Sequence, residues 1–143
     1  MKERHTVLRV ITKLLTPYIL LFGLYVQFHG DYGPGGGFQA GVIVAAAFIL
    51  YGLVFGPREA QRVARPDFLR FLAAFGVILF AGVGVVTMLR GGAFLDYGML
   101  DAHDPVHGQH LGILLIEGGV GLTVASVMTL IYYAFATFGK RTT

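Results

Sequence analysis

Four long apolar runs, separated by charged or glycine-rich breaks, dominate the chain. They cover roughly residues 7–28, 38–55, 68–89 and 111–138. A helix crosses the hydrocarbon core with about 20 apolar residues, and about 17 suffice. Each run meets that length, and the run interiors are nearly free of charge. Backbone groups cannot be left unpaired in lipid, so such runs are helices or barrel strands. Barrel strands are about ten residues long and alternate in polarity; these runs are longer and do not alternate. The pattern predicts an all-α integral membrane protein with four transmembrane helices, forming one membrane domain over 1–143. The breaks fall at 29–37, 56–67 and 90–110.

Composition agrees. Hydrophobic residues make up 55% of the chain, charged residues 13%, and the mean hydropathy is +0.69. Soluble domains carry about 25% charged residues, so a water-facing surface could not be covered. Disorder is excluded by the same figures. With no cysteine, disulfides, iron–sulfur clusters and thiolate zinc sites are excluded. With no tryptophan, tyrosines must supply the interfacial belt: Tyr25, Tyr32 and Tyr97 at one side, Tyr132 and Tyr133 at the other. Neither a serine–histidine–acid set nor a metalloprotease motif occurs, so the reading is not an enzyme and needs no cofactor.

The cationic residues set the expected orientation. Lys2, Arg4, Arg9 and Lys13 open the first span, Arg58, Arg62, Arg65 and Arg70 flank the 56–67 break, and Lys140 and Arg141 end the chain. Only Arg90 falls on the other side. Both termini and the 56–67 loop are therefore expected in the cytoplasm, with outer loops at 29–37 and 90–110. This basic face is a topology signal and gives no reason to expect nucleic acid. The first span has a basic leader, but its end, Tyr25-Val26-Gln27-Phe28-His29, lacks a small-x-small cleavage site. It is expected to be retained. No internal repeat is apparent.

Glu117 is the one carboxylate well inside a span, roughly 10 Å along the fourth helix if that helix starts at 111. A charge there costs a few kcal/mol, so it is expected to face protein or a wet cavity. Glu117, Gly121 and Ala125 recur every fourth residue and share one face, on which small residues admit a neighbouring helix. A carboxyl in such a contact is a candidate proton or cation site; the plainer reading is a polar residue bonded across a helix interface.

The run Gly33-Pro34-Gly35-Gly36-Gly37-Phe38 is neither a dinucleotide fingerprint nor a P-loop. Its glycines and Pro34 permit a close-packed reversal, and Gly37, Gly41 and Ala45 continue as a small-residue face. Pro17 removes the bond to the Lys13 carbonyl and is expected to kink the first helix, with Lys13 anchoring it at the cytoplasmic interface. His103, His107 and His110 have helical ligand spacing, but Pro105 and Gly108 are expected to interrupt any helix there. No metal site is assigned.

The stretch from His29 to Gly41, His-Gly-Asp-Tyr-Gly-Pro-Gly-Gly-Gly-Phe-Gln-Ala-Gly, resembles the turn of the MrpB family, a small membrane component of Mrp-type multisubunit Na+/H+ (monovalent cation/proton) antiporters. Glu117-Gly118-Gly119-Val120 is a second point of similarity, and length, span number and topology also match. Ala40 departs from the glycine, and Glu117 from the aspartate, of many members. The resemblance implies a small subunit of a hetero-oligomeric complex in a bacterial or archaeal cell (inner) membrane, exchanging cytoplasmic Na+ (or K+) for external H+. Its implied partners are the other antiporter subunits, including large proton-channel subunits, and the lipid bilayer. Its implied role is structural and adjacent to the ion path. The alternatives are a membrane subunit of a hydrogenase-type complex and a stand-alone small ion transporter.

Overall fold

The computed structural model describes residues 2–30, 35–101 and 103–138, with side chains described from residue 6 onward. Helix α1 spans Lys2–Phe28, α2 Gly37–Phe55, α3 Pro57–Val63, α4 Pro66–Leu89 and α5 Pro105–Phe138, with a 3₁₀ turn at Tyr97–Leu100. Four of these helices, all but α3, are long and apolar enough to cross a membrane. The protein is an all-α membrane protein with four spanning helices.

Local chemistry sets the boundaries. Gly36, at φ +136°, precedes α2, and Gly56, at φ +96°, ends it; both angles favour glycine. Pro57 and Pro66 stand in the first turns of α3 and α4, with Glu59 and Asp67 beside them. A proline there loses no helical bond, and an acid there complements the helix dipole. The Asp104 carboxylate accepts the N–H of Val106 at 3.0 Å and of His107 at 3.2 Å, capping α5.

The spanning helices lie in the order α1, α2, α5, α4. Helix α5 packs on α2 along one side and on α4 along the other, and α1 packs on α2. The contacts are made by small residues. A carbon added at Gly41 would lie 2.7 Å from the Gly121 carbonyl oxygen, and one at Gly119 would lie 2.8 Å from that of Gly76. Without a hydrophobic drive between helices in lipid, such close backbone approach supplies the packing energy. At the end near α3, Tyr133 is only 4% exposed among Ala60, Ala64 and Leu69. Its hydroxyl donates to the Ala64 carbonyl at 3.1 Å.

Several expectations are corrected. Pro105 does not interrupt a helix; it begins one, and α5 continues through Gly108. The connection between α4 and α5 is therefore shorter than 90–110, and α5 has 34 residues, roughly 51 Å at 1.5 Å each. That exceeds the roughly 30 Å of hydrocarbon, so its ends project. The 56–67 break is mostly helix α3. Tyr133 is buried, Tyr132 packs at Gly52, and Tyr97, on the 3₁₀ turn, packs at Gly112, so all three make packing contacts within the chain. Helix α1 is continuous through Pro17, which is compatible with the bend expected there, since a proline can kink a helix without ending it. One residue before it, the Thr16 hydroxyl donates to the Thr12 carbonyl at 2.7 Å.

Candidate functional site

Glu117 lies on α5 where that helix meets the start of α2. With α5 beginning at Pro105, it sits roughly 18 Å from the helix start, deeper than a span starting at 111 implied. Three glycines surround it. A carbon added at Gly30 would fall 2.5 Å from Oε2 and 2.6 Å from Oε1, and one at Gly36 would fall 3.3 Å from Oε1. One added at Gly37 would overlap the Glu117 carbonyl oxygen. Gly30 and Gly36 thus lie against the side chain of this residue, and Gly37 against its backbone. No larger residue would leave the carboxyl its place.

The carboxyl also faces the N-terminal end of α2. That end presents N–H groups with no partner within the helix and the positive end of the helix dipole, which favours negative charge by about 0.3–1 kcal/mol, and by up to about 2 kcal/mol when partly buried. Helix α2 has no acid of its own in its first turn; α5 brings one to it. The sequence pattern put Glu117 and Gly121 on one face, and that face lies against Gly37 and Gly41.

Of the other sequence-predicted residues, Gly35, Gly36, Gly37, Gly41 and Gly121 gather at this contact. Gly35 approaches the Val26 carbonyl: a carbon added there would lie 3.0 Å from the oxygen. Phe38 does not join them. It is 64% exposed on the first turn of α2. Pro34 lies outside the described residues. Lys13 and Pro17 are remote, on the half of α1 nearer the α2–α3 corner.

Two polar residues drew no notice in the sequence, one at this contact and one at the end of α4. Gln27, on the last turn of α1, reaches α5: a carbon added at Gly121 would lie 2.5 Å from its Oε1. Its Nε2 is buried with no hydrogen-bond partner among the described residues. A lone amide near the end of an apolar span was the available signal. Thr87, fully buried near the end of α4, donates to the carbonyls of Gly84 (2.8 Å) and Ala93 (3.1 Å) and accepts the Leu95 N–H at 3.1 Å. It holds the turn after α4, where Leu95 takes φ +64°. The Arg90 guanidinium pins the same connection through the carbonyls of Met99 at 3.0 Å and Leu100 at 2.6 Å.

Outside the span, the Asp101 carboxylate accepts the backbone N–H of His103 at 3.0 Å and of Asp104 at 3.3 Å, and meets His107 Nδ1 at 3.0 Å. The His103 N–H, then the His107 ring, hold its carboxyl below the usual carboxylate range. No group of three or more potential ligand side chains that could hold a metal occurs among the described residues. The His107 ring and the His103 backbone N–H hold Asp101 just before α5.

An acid packed against glycines at a helix N-terminus thus lies inside a row of four spanning helices, which defines a polytopic membrane protein. Residues 7–130 match the family model described as a domain related to the MnhB subunit of Na+/H+ antiporter. The chain is 38% identical over 138 residues to a Staphylococcus haemolyticus (strain JCSC1435) protein named "Putative antiporter subunit mnhB2", covering 95% of this chain and 97% of that protein. It is 38% identical over 130 residues to the protein of the same name in Staphylococcus aureus (strain Newman), covering 90% and 92%. The chain belongs to the MnhB-related family.

Proposed function

We propose that this chain is a membrane subunit of a multisubunit Na+/H+ antiporter, and that its role is structural and adjacent to the ion path. The complex exchanges cytoplasmic Na+ (or K+) for external H+, in a bacterial or archaeal cell membrane. The other subunits, including large proton-channel subunits, are its partners. Both chain termini and α3 face the cytoplasm, by the distribution of Lys and Arg. The carrying observation is the Glu117 carboxyl, held within an apolar span by Gly30, Gly36 and Gly37 at the N-terminal end of α2. An intramembrane acid is costly and belongs on an ion or proton pathway or at a subunit contact. Much of the apolar side-chain surface of α1 and α4 is exposed, which leaves room for partner helices.

The test is complementation. Cells lacking their antiporters and sensitive to Na+ receive the whole complex with wild-type chain, with Glu117→Gln, or without this chain; a fourth strain receives this chain alone. The proposal expects salt tolerance only with the assembled complex. Glu117→Gln is expected to assemble and to exchange more slowly or with a shifted pH profile. Full tolerance from this chain alone would overturn the subunit reading. Unchanged exchange by an intact Glu117→Gln complex would return Glu117 to a packing role.

A further inference from the structure

The site described above uses the α2–α5 contact near Gly36. At the opposite end of α2 a second feature has no part in it. Arg9 and Lys13 are four residues apart on α1 and so share a face. Both reach the same ring: the Arg9 guanidinium carbon is 5.9 Å, and the Lys13 ammonium 5.5 Å, from the centroid of Phe55. Neither has a carboxylate within 4.0 Å among the described residues. The cleft they line has a volume of about 500 Å³ and is completed by Thr6, Val10, Tyr51 and Glu59. Glu59 is engaged elsewhere, accepting from Arg62 at 2.7 Å.

Two like charges converging on one aromatic floor repel each other, and the ring quadrupole offsets that only in part. An anion between them removes the repulsion. Position indicates its source. Phe55 is the last residue of α2 and so ends a helix long and apolar enough to cross a membrane. The Val10 side of α1 is exposed and continues as an apolar face through Leu14. The cleft is therefore cationic at the headgroup level, floored by aromatic rings and open toward acyl chains.

We propose that this cleft binds the phosphodiester of an anionic phospholipid, with Arg9 and Lys13 on the phosphate oxygens and the acyl chains along Val10 and Leu14. A free phosphate would share the cation contacts but have no use for the apolar wall. The inference requires only that α1 and α2 span the bilayer; it stands or falls independently of the antiporter reading.

The experiment uses the full chain, in its complex, in phosphatidylcholine vesicles containing phosphatidylglycerol. Trace photoactivatable phosphatidylglycerol, or the matching phosphatidylcholine, is the probe, and labelled peptides are mapped by mass spectrometry. Phosphatidylglycerol is expected to label the segments around Arg9–Lys13 and Tyr51–Phe55. Removing each cation (Arg9→Gln, Lys13→Gln) should lower labelling about 5-fold, and removing both about 30-fold, on the energy of one basic side chain at an anionic surface. Arg9→Lys with Lys13→Arg keeps the charge and should keep the label, which separates loss of the site from loss of fold. Equal labelling by phosphatidylcholine would overturn the proposal. So would loss of label when millimolar inorganic phosphate is added, which would make this a free-anion site. Crosslinks to another polypeptide in place of lipid would assign the cleft to a partner protein and overturn it as well.

Discussion

A methyl group at Gly41 measures the closeness of α2 and α5 directly. The added carbon would sit 2.7 Å from the Gly121 carbonyl oxygen and 2.8 Å from Val124 Cβ, where ordinary contact begins at 3.4 Å. The oxygen belongs to helix backbone and cannot rotate away, so the helices must part by about 0.7 Å locally. A gap of 0.5–1 Å forfeits about a quarter to a half of each dispersion contact it opens. Overpacking of this kind costs about 1–3 kcal/mol; at ~2 kcal/mol the folded-to-unfolded ratio drops about 30-fold. Gly37→Ala should do at least as much, since its carbon would overlap the Glu117 carbonyl oxygen. Gly82 and Gly118 are the controls, because a carbon at either meets nothing within 4 Å. The assay is retention of the monodisperse species on size exclusion after a temperature ramp in mild detergent. Gly37→Ala and Gly41→Ala should be lost at lower temperature, with Gly82→Ala and Gly118→Ala melting with wild type. Four variants melting together would refute the close contact.

Other expectations follow from single interactions. Tyr133→Phe leaves the buried Ala64 carbonyl without its donor and should cost about 1–3 kcal/mol, read by the same thermal assay. Thr87→Val deletes the hydroxyl that joins Gly84, Ala93 and Leu95; it should cost a similar ~1–3 kcal/mol and raise hydrogen exchange at the Leu95 amide. The Asp101 carboxyl is lowered from its ordinary 3.8, so the stability it lends is present above that value. It is lost as the pH falls through the lowered pKa. Protection of the His103 and Asp104 amides, corrected for intrinsic exchange, should therefore hold from pH 7 to about 4 and weaken only below. Asp101→Asn should weaken it at neutral pH.

The spans were legible because lipid imposes one strict demand, a long apolar helix with internally paired backbone. Glu117 was legible for the converse reason, as a carboxyl in such a helix. Its face was legible from the fourfold spacing to Gly121. What surrounds it was not. Gly30 lies outside every periodic segment, and its approach to Glu117 is a tertiary fact. Pro105 and Gly108 read as breakers because proline interrupts a helix interior, yet proline at a first turn starts one. The Asp104 cap was the missing cue. Tyr132 and Tyr133 read as interface markers from their place near a span end, and only the fold brings α3 and α4 over Tyr133. Phe38 shared a motif with packing glycines but is exposed, since on a helix beginning at Gly37 adjacent residues point apart. Arg9 was counted as a topology charge and Lys13 as a topology charge and interface anchor, because nothing in a one-dimensional pattern places Phe55 beneath them.

The most direct measurement is affinity purification of the tagged chain in mild detergent, with mass spectrometry of every protein that accompanies it. A membrane subunit of a cation/proton antiporter should bring large proton-channel subunits with it in fixed ratio, free of iron–sulfur redox proteins. Recovery of this chain alone, as a stable species, or in company with hydrogenase-type redox subunits, would contradict that assignment.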